Sequence, residues 1–252
     1  MDELKEQTLV EHLIDLKKCI VNTLLILVLG FLACIYFSEY IFNFIRSPII
    51  PYLDTGGLVF TAPIDKFMAH LKVSFLAGTI LTCPFWLFQV WRFIAPGLYQ
   101  KEKKLAVLFI FFGTVLFLLG VVFVYKIVYP MAFKYLLTFG GDIDKPMITI
   151  NEYLGFFITT TLLFGLSFEM PLIIVILAML GIVDEKILKN NRRIAIMIMA
   201  VVSAIITPPD AISMLAMLAP LILLYEISIV IVKNIVTKKT TAASKPAAVV
   251  KS

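Results

Sequence analysis

Three carboxylates in this 252-residue chain stand where an acid needs a physical reason. Glu169, in "FGLSFEMPLI", is the only charged side chain between Tyr153 and Val183, an otherwise apolar run. On insertion scales an acid at such a depth in a membrane costs roughly 2.5–3.5 kcal/mol. Pro171 removes a backbone donor and frees a carbonyl one turn earlier, so a kink and a polar notch are expected beside the acid. Glu102 sits among Lys101, Lys103 and Lys104 in "WRFIAPGLYQKEKK", and Asp15, in "HLIDLKK", precedes the first apolar run. Two carboxylates at the edge of a hollow are suited to gripping a cation. They are also consistent with surface ion pairs worth about 0–1 kcal/mol each. Glu169 in turn reads either as part of a pathway or binding hollow, or as an acid bonded to a Ser or Thr of a neighbouring helix. Glu226, seven residues before Lys233, reads as a structural group near the membrane surface.

No catalytic constellation accompanies these acids. His12 and His70 are far apart and expected on opposite membrane faces. The sequence has no G-x-S-x-G, H-E-x-x-H or G-x-x-x-x-G-K-[ST], so it offers neither a nucleophile with its base nor a nucleotide cradle. Cys19, Cys34 and Cys83 are widely spaced in or beside apolar runs, which fits buried thiols rather than a disulfide framework or metal cluster. No cofactor is called for. The expected chemistry is non-covalent recognition, with any work driven from elsewhere.

The elements that carry these residues are membrane helices. Hydrophobic residues make up 61% of the chain and charged residues 15%, against roughly 45–50% and 25% in soluble domains. A spanning helix needs about 20 apolar residues. Six are expected: 19–37, one centred on 73–91, 105–125, one within 153–183, 194–206, and 209–232. The fifth is short, at roughly 20 Å. "TPPD" (207–210) separates it from the sixth, with Thr207 as N-cap, Pro208 at the first helical position and Asp210 at the third. The second reads as one long helix from Pro63 to Ile94, projecting beyond the bilayer. Pro96 and Gly97 end it in a tight turn, with Phe93, Trp91 and Tyr99 suited to the interface. "SEYIFNFIRSPIIPYL" (38–53) is aromatic and proline-broken like an interfacial cap, and 130–152 reads as a connection on the same side.

Sixteen Lys and Arg fall on the side of the termini and six on the other, so both termini are expected in the cytoplasm. That placement explains the net charge of +5 without nucleic acid. Residues 1–18 read as an amphipathic cytoplasmic segment without a secretory-signal pattern. Residues 19–233 read as the membrane domain, and 234–252 as a disordered basic tail with weak attraction to anionic lipid.

"EHLIDLKK", "FQVWRFIAPGLYQKEKK", "FGLSFEMP" and "TPPD" follow one another in order, and together they resemble the TatC family, the polytopic core of the twin-arginine protein translocase. The resemblance runs from about residue 8 to residue 233. It implies a cupped six-helix bundle that receives folded proteins whose signal peptides carry two adjacent arginines. It also implies assembly with single-span TatA- and TatB-type partners into an oligomeric complex, and use of the proton-motive force. Position by position, it puts Glu102 and Phe93 in the first-loop signal-peptide site. Asp15 matches a position usually held by Glu, and Lys17 one usually held by Arg. Glu169 matches the intramembrane acid of the concave face, Pro48 a first outer-loop proline, and Pro208 and Asp210 the outer hairpin. Ala200 and Ala204 of the fifth helix are expected to be close-packing positions for a TatB-type helix.

On this reading the acids exist because the ligand is cationic: guanidinium pairs with carboxylate through two parallel bonds. Charge-assisted bonds contribute about 1.5–3 kcal/mol each, whereas micromolar binding needs about 8 kcal/mol. The remainder must come from the signal peptide's apolar stretch, along the groove that holds Glu169. The competing expectation is a proton- or ion-coupled small-solute transporter with Glu169 as its coupling acid.

Overall fold

The structure is a computed structural model that describes residues 9–53, 57–94, 106–138, 147–207 and 211–243. Eleven α-helices are named in chain order among the described residues. They are α1 (Leu9–Ile35), α2 (Ser38–Arg46), α3 (Asp65–Leu81), α4 (Cys83–Ile94), α5 (Ala106–Phe123), α6 (Tyr129–Thr138), α7 (Ile150–Phe168), α8 (Met170–Met179), α9 (Glu185–Asn190), α10 (Arg192–Ile206) and α11 (Ala211–Ala243). A π-helical turn, Val124–Val128, joins α5 to α6. The fold is an all-α membrane bundle. Among the described residues, four helical stretches are individually long and apolar enough to cross a bilayer: Leu13–Ile35, Ala106–Thr138, Ile150–Met179 and Ser213–Asn234. The α3–α4 pair makes a fifth if its halves count as one span. At fifteen residues, α10 is short as expected, about 22 Å at 1.5 Å per residue.

Several expectations about the spans change. The second helix is not a straight rod: it breaks at Thr82, and α4 turns 60° from α3. Pro84 has no N–H to continue the ladder, and the Thr82 hydroxyl donates to Gly78 O at 2.7 Å, closing the last turn of α3. The third helix does not end at 125 but continues to Thr138. Pro130 would ordinarily stop it. The wider π turn just before Pro130 accommodates the missing donor, as such bulges do. The last helix is drawn to Ala243. Residues 234–243 contain no Gly or Pro to end it before Pro246. Residues 244–252 lie outside the described residues. The helix is interrupted at Glu169, where the sequence places a kink: the residue ends α7 and precedes α8, with Pro171 in the first turn of the new helix.

Close helix crossings hold the bundle together. A Cβ on Gly78 of α3 would stand 2.6 Å from Gly30 C and Phe31 N of α1, so the two backbones meet where only hydrogen fits. Around the start of α7, Tyr129, Phe133, Tyr153 and Phe157 form a buried aromatic cluster. The Tyr129 hydroxyl bonds Phe157 O and Thr161 Oγ1, both at 2.7 Å, so its polar end is satisfied inside the apolar core. Gly181, at φ +75°, ends α8, where its N–H and that of Ile182 reach back to Ala178 O and Leu177 O.

A compact cap closes the end of the bundle opposite Asp15. The Phe44 ring of α2 stacks on Tyr125 at 4.6 Å, and Tyr125 OH donates to Phe44 O at 2.9 Å. Half-buried Pro48 follows α2, ahead of a short 3-10 turn, Ile50–Tyr52. Val59 makes an isolated parallel bridge with Thr149. Asp65, buried at the start of α3, accepts from Thr61 N (2.9 Å), Thr61 Oγ1 (3.1 Å) and Ala62 N (2.8 Å). Its other oxygen accepts from Asn151 Nδ2 at 2.6 Å, which ties this connection to α7.

Candidate functional site

The N-terminal part of α1 and the end of α4 face each other across a cavity of about 220 Å³. From α1 it is lined by Asp15, Lys18, Cys19 and Asn22, and from α4 by Gln89, Arg92 and Phe93. Both sets follow helical spacing, i, i+3, i+4 and then i+7 on α1, so each helix contributes one face. The Cys19 thiol donates to Gln89 O at 3.3 Å and holds the helices in register. The 60° bend at Thr82 is what sends α4 toward this end of α1.

The structure thus brings Asp15 and Phe93 together. It places Lys17 elsewhere: that residue is exposed and absent from the lining, while Lys18 is present. Successive helical residues rotate by about 100°, which puts Lys17 roughly 200° from Asp15 and Lys18 on Asp15's flank. Trp91 is buried and stacks on Phe109 at 4.5 Å, so it packs between helices rather than at the interface. Glu102 and Pro96 lie outside the described residues, as do Pro208 and Asp210. Sequence reading missed Lys18, Cys19, Asn22, Gln89 and Arg92 as lining groups. The signal was the shared spacing on α1 and α4, but only their pairing in space gives it meaning.

Glu169 occupies a different place. Its side chain is buried, and neither oxygen has a hydrogen-bond partner. It lies against Gly113 of α5, whose added Cβ would stand 3.3 Å from Glu169 Oε2 and 3.1 Å from Leu87 and Leu172. Of the two readings of this acid, the structural one, a bond to a neighbouring Ser or Thr, is not made. The position is a carboxyl group in an apolar notch at the α7–α8 break, facing Gly113 of α5.

Glu226 pairs with Arg192 at 2.7 Å, joining α11 to the start of α10, as a structural group would. The helix start that Thr207 is expected to cap, residues 208–210, lies outside the described residues. Thr207 is the C-cap residue of α10, and its hydroxyl donates back to Ser203 O at 2.9 Å. On α10, Ala204 is exposed and Ala200 half-buried. Met197, Ile198, Val201 and Ile205 carry an exposed apolar stripe beside them. No group of His, Cys, Asp or Glu among the described residues is arranged to hold a metal ion.

Comparison with known proteins adds an independent line. Residues 11–220 match the family model for TatC, the Sec-independent protein translocase protein. A Sec-independent protein translocase protein TatC of Carboxydothermus hydrogenoformans is 39% identical over 242 residues, covering 96% of this chain and 99% of that relative. The TatC of Koribacter versatilis is 40% identical over 233 residues, 90% of this chain and 86% of that protein. The crystal structure of a twin-arginine translocase receptor, TatC, superposes with a TM-score of 0.77 at 33% identity, covering 88% of this chain and 98% of the other. A second, in the detergent DDM, gives 0.78 at the same identity. Four ordered motifs, a kinked bundle with a buried acid at its break, and relatives matched along nearly their whole length lead to one conclusion: this chain belongs to the TatC family of Sec-independent protein translocase proteins.

Proposed function

We propose that this chain is the signal-peptide receptor and assembly scaffold of a twin-arginine translocase in the cytoplasmic membrane, and that it is not an enzyme. Its six crossings comprise α1, the bent α3–α4 pair, α5–α6, α7–α8, short α10 and α11, with both termini in the cytoplasm. The observation that carries this reading is the cavity at the Asp15 end of α1, where Asp15 and Phe93 of α4 line one hollow; Glu102 follows eight residues after the end of α4 in the sequence.

In this account Asp15 and Glu102 pair with the twin arginines of the signal peptide, and Phe93 packs against their aliphatic stems. Lys18 and Arg92 in the lining repel a peptide that offers cations in the wrong register. The apolar stretch of the peptide then runs toward the notch at Glu169. An acid left without a protein partner there keeps a polar foothold for the ligand or for a proton. The exposed stripe on α10, with Ala200 and Ala204, receives a TatB-type helix, and TatA-type subunits join the assembly under the proton-motive force.

The test is photo-crosslinking of a twin-arginine signal peptide to the full chain in membranes. Glu102→Lys is expected to abolish the crosslink while the protein still inserts at wild-type level. An unchanged crosslink removes Glu102 from the site.

A further inference from the structure

At the opposite end of the bundle from Asp15, a groove of about 620 Å³ lies between α2, α3 and the end of α5. Its walls are almost wholly apolar, with Cys34, Ile45, Leu76, Ala77, Ile80 and Val121 among them. Among the described residues, Lys126 is the only charged one in the lining. It stands twenty residues beyond Ala106, about 30 Å along the helix, which is the thickness of the hydrocarbon layer. With Ala106 at one face of that layer, the ammonium would reach the headgroups of the opposite leaflet and Val121 would lie at acyl-chain depth.

The nearest acid of α2, exposed Glu39 in its first turn, lies outside the groove's lining. On the other side of α2 a second cavity, of about 560 Å³, is lined by Arg46 and Lys66 among apolar residues. Among the described residues no carboxylate lines either cavity. Asp65, the buried acid of this cap, has its oxygens engaged by Thr61, Ala62 and Asn151. The Tyr125 hydroxyl is likewise committed, to Phe44 O and Ser47 Oγ. The Lys126 ammonium lies 5.8 Å from the Tyr125 ring, over its face and beside the groove. Phe44, Leu81 and Val122, which also line the groove, are exposed apolar side chains, so the groove has an open, apolar rim.

We propose that this groove holds one phospholipid with a net negative headgroup, its phosphate against Lys126 and an acyl chain along the apolar wall. A concave apolar site of several hundred Å³ with a single well-placed polar group is a ligand pocket by construction. The cation at its mouth, with no carboxylate in the lining, selects an anion at headgroup depth. The proposal needs only that the chain crosses a membrane and does not depend on the signal-peptide reading.

The test uses the full chain purified in dodecyl maltoside and titrated with phosphatidylglycerol or phosphatidylcholine. Retained lipid is counted by native mass spectrometry, and the melting temperature is followed in parallel. The wild type is expected to retain one phosphatidylglycerol at least about five-fold more tightly than phosphatidylcholine, the scale of one cation near an anionic lipid. Lys126→Glu should remove that preference, and Ala77→Leu, which fills the groove, should weaken retention of both lipids. Lys134→Glu, an exposed cation outside the lining, should leave binding unchanged. Equal retention of the two lipids overturns the proposal, as does a Lys126→Glu variant that behaves like Lys134→Glu. So does a photoreactive group at position 77 that couples to polypeptide and not to phospholipid in native membranes.

Discussion

Gly78→Ala should loosen the whole cytoplasmic site from the middle of the bundle. The added methyl carbon would stand 2.6 Å from Gly30 C, 2.6 Å from Phe31 N and 2.9 Å from Gly30 O. Carbon atoms in favourable contact sit about 3.5–4.0 Å apart, so α1 and α3 must part by roughly 1 Å. The atoms met are backbone and have no rotamer by which to retreat. Overpacking of this kind costs about 1–3 kcal/mol, and rigid neighbours put the site at the upper end. Alanine returns about 1 kcal/mol through its better helix propensity. The net loss is about 2 kcal/mol, roughly a thirty-fold shift in the folding equilibrium. For a chain of this size that lowers the melting temperature by about 4–8 °C. Gly155→Ala is the matched control, since a Cβ there meets nothing within 4 Å. It should be neutral or slightly stabilising. Both variants would be melted in dodecyl maltoside and assayed for signal-peptide binding. Because α1 carries Asp15 and the α3–α4 unit carries Phe93, Gly78→Ala should also lose peptide affinity. If it melts with Gly155→Ala and binds peptide normally, the close-crossing argument is wrong.

Other perturbations separate structural acids from functional ones. Asp65→Ala removes the acceptor of four hydrogen bonds at a buried position and should cost about 2–4 kcal/mol, read as a lower melting temperature and faster proteolysis of the cap. Glu226→Gln should change stability by less than about 1 kcal/mol, because both it and Arg192 remain 44% exposed. Asp15→Asn should weaken peptide crosslinking less than Glu102→Lys does, since it removes one charge without reversing it; an equal or greater loss would make Asp15 the dominant contact.

Much of this architecture is written in local chemistry. A lone acid two residues before a proline, inside a run of thirty apolar positions, predicts the break at Glu169 because both residues act on the same turn. Pro84 is the same kind of signal, yet the apolar run passes through it without interruption, and only the bend shows what the missing donor does. Pro130 misleads in the other direction, since the π turn absorbs it and the helix continues. The site divides along a similar line. The types of Asp15 and Phe93 are readable from their motifs, but they lie 78 positions apart in the chain, and their meeting depends on a 60° bend and on two glycines. Lys17 and Lys18 are chemically identical neighbours, and helical phase alone decides which of them faces the cavity.

The central claim is that an acidic clamp at the cytoplasmic end of α1 and α4 recognises paired guanidinium groups. The most direct measurement is the affinity of the purified full chain for two signal peptides that differ only in carrying Arg-Arg or Lys-Lys. Carboxylates that accept two parallel bonds from each guanidinium should favour Arg-Arg by about ten-fold or more, because lysine brings the charge without the fork. Equal affinities would contradict the account.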